Sequence, residues 1–264
     1  MIEINTEFKN IFESHCHYDD GQFDCDRDEL LSEMLSSGSV KRLLHASTDE
    51  KSSLFGIEYA KKYPQFYTSV GFHPECIDSL PENYAEILES LLSQSAKVVA
   101  VGEIGLDYHY EGYDREKQAE VFSRQIEFAN AHTLPVIIHS RDATSDTLEI
   151  LRKLKPRGVV HCFSGSYETA KEMLSLGLYI GFTGALTFKN AKKAVHALEA
   201  VPIDRLLLET DCPYMAPDGY RGKRCDSRMI YRIAQKVSEL KGIPAQEVID
   251  RTAENASRLF SIPL

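Results

Sequence analysis

Short apolar runs alternate with helix-period amphipathic segments from one end of the chain to the other. The runs predict strands over Ile11–His17, Val40–Ala46, Phe66–Phe72, Val98–Glu103, Pro135–His139, Val159–Cys162, Leu178–Phe182 and Arg205–Glu209. Between them lie helical stripes. Leu30, Leu31, Met34 and Leu35 share a face over Glu29–Leu35, and Ile230, Ile233, Ala234, Val237 and Leu240 make another near the C-terminus. Gly38 and Gly177 are expected to close helices, and Pro64 and Pro202 to end others. The strands are continuous apolar runs, as a parallel sheet covered on both faces requires. Eight of them with helical crossovers in 264 residues predict an α/β fold, a (β/α)8 TIM barrel, as one domain over residues 1–264. A doubly wound open sheet is the alternative, weakened because no G-x-G-x-x-G turn follows the first strand.

A barrel carries its chemistry at the C-terminal strand ends. Here those ends read His15-Cys16-His17, Gly71-Phe72-His73-Pro74, Gly102-Glu103-Ile104-Gly105-Leu106-Asp107, Ile138-His139-Ser140-Arg141-Asp142, Val160-His161-Cys162 and Glu209-Thr210-Asp211. His15 and His17, two apart, share one strand face, with Cys16 on the other. Histidines placed by core packing have no reason to prefer that rim. Glu103, Glu209 and Asp211 also terminate apolar runs, and burying carboxylates without partners costs several kcal/mol. Metal coordination accounts for both observations at once.

Composition narrows the picture. A net charge of −10 argues against binding along nucleic acid through a broad basic surface, but not against a strand held locally by cations. Six cysteines without C-x-x-C spacing argue against a zinc ribbon. No apolar run reaches membrane-spanning length and residues 1–10 lack a signal-peptide core, so no membrane association and a cytoplasmic location are expected. Nothing calls for an obligate protein partner.

The motifs H-C-H, G-F-H-P, V-G-E-I-G-L-D-Y, V-I-I-H-S-R-D-A, H-C-F-S-G-S, F-T-G-A-L-T-F-K-N-A and L-L-E-T-D-C-P-Y-M-A-P followed by R-G-K-R resemble the TatD family of metal-dependent deoxyribonucleases, from about Phe12 to Phe260. The resemblance implies an amidohydrolase-type TIM barrel with two divalent ions. His15, His17, Glu103 and Asp211 resemble the ligands of one ion. Glu103 would bridge to the second, completed by His139 and His161. The chain departs from the pattern at Glu13, where the family usually has Asp, at Glu75, where a basic residue is expected, and at Cys225-Asp226-Ser227.

Four imidazoles and two carboxylates suit Zn2+, Mn2+ or Mg2+. Two such ions roughly 3.5–4 Å apart can clamp both oxygens of an in-line phosphoryl displacement. Asp211 is expected to act as ligand and general base, with Glu209 either orienting the site or pairing with a lysine. Arg141 is placed to fork onto a phosphate, and His73 and Asp107 either to contact the scissile or leaving group or to anchor their own loops by hydrogen bonding. Tyr108, His109, Tyr110 and Tyr113 either offer a base a stacking surface or pack their own loop. The expected substrate is a DNA strand end, or RNA, trimmed as a 3′→5′ exonuclease by family resemblance. The alternatives are an amidohydrolase-type deacylase, esterase or lactonase, and a barrel used only as a scaffold. Many related barrels bridge their metals with a carboxylated lysine on the fourth strand, whereas this chain has Glu103 there and Lys97 at the strand's beginning. Finally, Cys25, Cys76 and Cys225 are expected on the catalytic rim, either with thiols made reactive by nearby cations, Cys225 foremost, or as ordinary thiols filling loop space, and Cys16 and Cys162 are expected to point away from it.

Overall fold

The computed structural model describes residues 7–264. Eight parallel strands follow one another around the sheet in sequence order: β1 (Ile11–Cys16), β2 (Val40–His45), β3 (Phe66–Val70), β4 (Val98–Asp107), β5 (Val136–Arg141), β6 (Gly158–Val160), β7 (Tyr179–Phe182) and β8 (Leu206–Leu208). That order is a TIM barrel and excludes the doubly wound alternative, whose strand order must reverse. The covering helices are α1 (Arg27–Ser36), α2 (Glu50–Lys62), α3 (Tyr84–Ser93), α4 (Arg115–Ala131), α5 (Thr144–Leu154), α6 (Tyr167–Ser175) and α7 (Lys192–Ala200), and finally α8 (Ile230–Lys241) and α9 (Ala245–Phe260).

Strand alternation sorts the core into two layers. Leu43, Val136, Ile138, Val160, Ile180, Leu206 and Leu208 pack outward with helix residues such as Leu31, Phe122, Leu151 and Val237. Their neighbours Leu44, Ile137, Val159, Tyr179 and Leu207 point the other way and join Phe12 and the α9 residues Ala253, Ala256, Leu259 and Phe260. Gly38 and Gly177 take positive φ just beyond α1 and α6, as expected of helix stops. Leu240 does not complete the α8 stripe: it is 40% exposed while Ile230, Ile233, Ala234 and Val237 are buried.

Most strand boundaries move by one or two residues, but β4 changes more. It runs on past Glu103 to Asp107, because its ladder with β5 resumes at Ile104↔Ile138 after an irregularity and continues to Asp107↔Arg141. Glu103 therefore sits within a strand rather than at its end. Its backbone N–H leaves the ladder and donates to the Ser47 carbonyl at 2.5 Å.

The seam between β1 and β8 is closed partly by side chains. Ser14 Oγ donates to the Leu208 carbonyl at 2.9 Å. The buried Glu13 carboxylate accepts from the backbone N–H of His15 (3.2 Å) and of Thr210 (3.0 Å) and from the Thr210 hydroxyl. Backbone bonds then continue the seam, Asp211 N to His15 O at 3.0 Å and His17 N to Cys212 O at 2.8 Å. The same seam admits Glu209, whose carboxylate lies against Gly181 of β7. A Cβ at Gly181 would stand 2.5 Å from Glu209 Oε2. Gly181→Ala is accordingly expected to cost about 1–3 kcal/mol by overpacking, read as a lower urea midpoint; a midpoint equal to the parent's would show that Glu209 has room to move.

Candidate metal centre

The closed seam brings together the ends of β1 and the segment after β8. His15 and His17 converge with their Nε2 atoms 3.0 Å apart. Asp211 takes a left-handed φ of 58°, a region that Asp tolerates better than most residues. Its Oδ1 reaches His17 Nε2 at 3.2 Å and His15 Nε2 at 3.6 Å.

Glu103 faces this group and a second one. Its Oε2 lies 3.2 Å from His15 Nε2 and 3.6 Å from His17 Nε2. Its Oε1 lies 2.8 Å from His139 Nδ1 and 2.6 Å from His161 Nε2. His139 Nδ1 and His161 Nε2 are themselves 3.3 Å apart. Overlapping donor clusters result: His15, His17 and Glu103; His73, Glu103 and His139; His15, His161 and Asp211. Two facing imidazole nitrogens share at most one proton between them, yet each pair also faces a carboxylate oxygen. Nitrogen and oxygen donors converging in this way fit borderline divalent cations.

His73, expected on the substrate side, stands inside the donor set with Nε2 3.5 Å from Glu103 Oε1. Its Nδ1 accepts the Glu75 N–H at 3.2 Å. Asp107 lines the cleft and also anchors its loop: Oδ2 holds His139 Nε2 at 2.9 Å, and Oδ1 accepts the His109 N–H at 2.9 Å. A carboxylate on the far nitrogen fixes a ligand ring's orientation. Glu209 is buried with no lysine among its partners in the described residues; it accepts the Cys162 N–H at 2.5 Å and lies 3.8 Å from His161 Nδ1. The lysine pairing is thus not its role. Arg141 is partly exposed at the cleft wall, its Nη1 3.5 Å from the Tyr110 hydroxyl and 3.9 Å from Asp107.

The fourth loop divides its aromatics. Tyr108 and Tyr113 stack on each other at 4.6 Å and Tyr108 bonds Asp146, so these pack their own loop. Tyr110 instead lines a cleft of about 770 Å3 above the donors. For Cys76 and Cys225 the structure favours ordinary thiols. Cys225 is fully buried, and burial pushes its thiol up, not down. Cys76 does line the cleft, but burial raises it to about 11. Cys25 is exposed beside Asp26, outside the cleft lining. Cys162, expected to point away, takes φ 44° and lines the cleft beside Thr183.

His45 has no place in the sequence reading although it ends an apolar run like the other rim histidines. It is buried at the end of β2, with Nε2 3.3 Å from Ser52 Oγ and 3.8 Å from Asp19 Oδ1, and its ring centroid 6.4 Å from that of His17.

Electrostatics follow from burying opposite charges together. Burial alone would raise Glu103, but the charges of His161, His15 and His73 and the His139 bond hold it well below its ordinary range. Burial would lower His17, yet the Asp211 hydrogen bond and charge lift it to about 10. For His139 burial is likewise outweighed, by Asp107 and Glu103, giving about 9. Burial takes His15 down to about 4, helped by the His161 charge, and takes His45 to about 4. Burial raises Glu13 to about 7 and Glu209 to about 8. Protons on His17 and His139 therefore balance the carboxylates, and a bound cation would displace them.

Comparison with known proteins agrees in one direction. A family model described as TatD related DNase matches residues 12–261. The chain is similar to the metal-dependent hydrolase YabD of Bacillus subtilis, 40% identical over 256 residues covering 96% of this chain and 99% of that one. It is 38% identical to the metal-dependent hydrolase YcfH of Escherichia coli, covering 96% of each. Among solved structures it resembles YjjV, a TatD homolog of Escherichia coli, with TM-score 0.90 and 31% identity over 96% of this chain and 99% of that one.

The shifts set a pH dependence for the metal-free chain. Below pH 6.5 the groups oppose one another, because His15 and His45, lowered from 6.5 to about 4, gain stability as pH rises while Glu13 and Glu209 lose it. Above 6.5 those histidines no longer titrate. Glu13, Glu209, His139 and His17 all have raised values, so the folded state holds protons the unfolded state has lost, and stability falls. With a chelator present, the thermal midpoint should drop from about pH 7 to about pH 9, and added Mn2+ should flatten the slope. A midpoint that rises over that window contradicts the assigned proton balance.

Proposed function

This chain belongs to the TatD-related DNase family and is a metal-dependent hydrolase, and from that premise we propose that it trims DNA strand ends, or RNA, as a two-metal phosphodiesterase. The observation that carries the reading is Glu103, whose two oxygens face separate donor pairs. His15, His17 and Asp211 would hold one ion with Oε2, and His139 and His161 the other with Oε1; Mg2+, Mn2+ and Zn2+ all suit that set. Such ions supply Lewis-acid stabilisation of the phosphate and make water a better nucleophile at neutral pH.

The chain's own groups supply the rest. Asp211, kept ionised by its His17 bond despite burial, accepts the proton of the attacking water. Asp107 fixes the His139 ring from behind, and Glu13 anchors the His15 and Thr210 backbone on either side of the seam. Arg141, half in solvent, forks onto the phosphate. Digestion in the 3′→5′ direction follows the family resemblance. The reading treats the whole chain as one hydrolase domain acting in the cytoplasm. No helix among the described residues is long and apolar enough to cross a membrane.

The carboxylic-substrate alternative has less support. Lys97 gives its ammonium to the carbonyls of Ala60, Tyr63 and Pro64 at the end of α2, so it is engaged away from the donors. Incubation of the Mn2+-supplemented protein with 5′-labelled single-stranded DNA should give a ladder of shortened products that a chelator abolishes. Intact DNA beside turnover of an ester panel would overturn the phosphodiesterase reading. Asp211→Asn should slow the reaction by at least roughly 100-fold, and near-normal turnover with full metal content would assign the base elsewhere.

A further inference from the structure

The cleft above the donors is poor in cations. Its lining holds Asp20 and Glu75 and, against the buried His45, Asp19, and Arg141 is its one Arg or Lys among the described residues. The acidic groups at the mouth are held in place or open to solvent. Asp20 Oδ2 accepts the Tyr214 hydroxyl at 2.6 Å, and Glu75 is exposed. Proteins that track a long single strand line their groove with positive charge along its length. This mouth does the reverse.

The same mouth collects exposed ring and thioether surface. Tyr110 is 57% exposed, Tyr214 49% and Met215 40%, and all line the cleft. The Arg141 guanidinium lies over one side of the Tyr110 ring, 5.2 Å from its centroid. A base can stack on the exposed part of that ring while Arg141 reaches the adjoining phosphate. The volume of about 770 Å3 falls within the range of small-molecule sites rather than of an extended groove.

Building on the phosphodiesterase reading, we propose that the cleft selects short, unpaired oligonucleotides, dinucleotides foremost: Tyr110 and Arg141 seat one base and its phosphate, and Glu75 with the acidic mouth repels the phosphates of a longer strand. Arg141 and the metal ions account for a single phosphate. Each further phosphate meets carboxylates, a repulsion that salt screens.

The test compares kcat/KM of the Mn2+-loaded protein for a dinucleotide and for a strand of about 20 nucleotides, at about 50 mM and about 200 mM salt. Fluorescence anisotropy of the corresponding phosphorothioates gives binding independently of turnover. The dinucleotide should be favoured roughly tenfold at low salt, and the gap should narrow as salt rises. Glu75→Lys should narrow it at low salt, and Tyr110→Ala should raise KM for the dinucleotide more than it lowers kcat. A preference for the long strand that weakens steeply with salt overturns the inference and leaves the phosphodiesterase reading standing. So does a length preference that Glu75→Lys does not move. Cleavage of neither substrate by metal-loaded protein overturns both.

Discussion

A carboxylate buried among imidazoles governs this structure. Glu103 is 3% exposed and meets His15, His17, His73, His139 and His161 within 3.6 Å. Alone, a charge so buried would be expelled or neutralised. Opposite charge must surround it, and removing one partner of such an arrangement costs about 3–5 kcal/mol. The histidines come from β1 and β5 and from the segments just after β1, β3 and β6, so satisfying Glu103 requires those elements to be in register at one end of the barrel. In the metal-free chain protons meet that requirement, and on the proposed reading divalent cations take over from them.

Barrel closure and site assembly are one event at the β1–β8 seam. Glu13 and Ser14 bridge the strands where the ladder is thin, and the backbone bond from Asp211 to His15 links a residue of each side of the site directly. A barrel that failed to close would separate Asp211 from His17. Glu13 serves this seam through Thr210 rather than reaching the donors. Asp107 holds the far nitrogen of His139 from the cleft wall, and the buried Glu209 sits against the Cys162 N–H and Gly181.

Much of this was legible in the chain because it depends on local pattern. Apolar runs ending in His or an acid place His15, His17, His139, His161 and Asp211 on one rim, and the TIM barrel follows from eight such runs in order. What failed depends on tertiary contact. The extension of β4 past Glu103 comes from its ladder with β5, which the fourth segment alone does not encode. The pattern puts Asp107 and His73 at the cleft, where both lie, but a strand end cannot tell that they also meet His139 and Glu103. Alternation put Cys162 outward, yet its left-handed backbone turns it to the cleft. Cys225 follows two basic residues in sequence, but Arg224 swings to Asp26 and the thiol is buried. His45 was legible by the same rule as its fellows and went unused.

On the proposed reading Glu103 organises two cations, one on each oxygen. Anomalous scattering from crystals grown with Mn2+ tests it most directly. Two peaks are expected roughly 3.5–4 Å apart, one beside Oε2 with His15, His17 and Asp211, the other beside Oε1 with His139 and His161. A single peak, or peaks that do not touch Glu103, would contradict it.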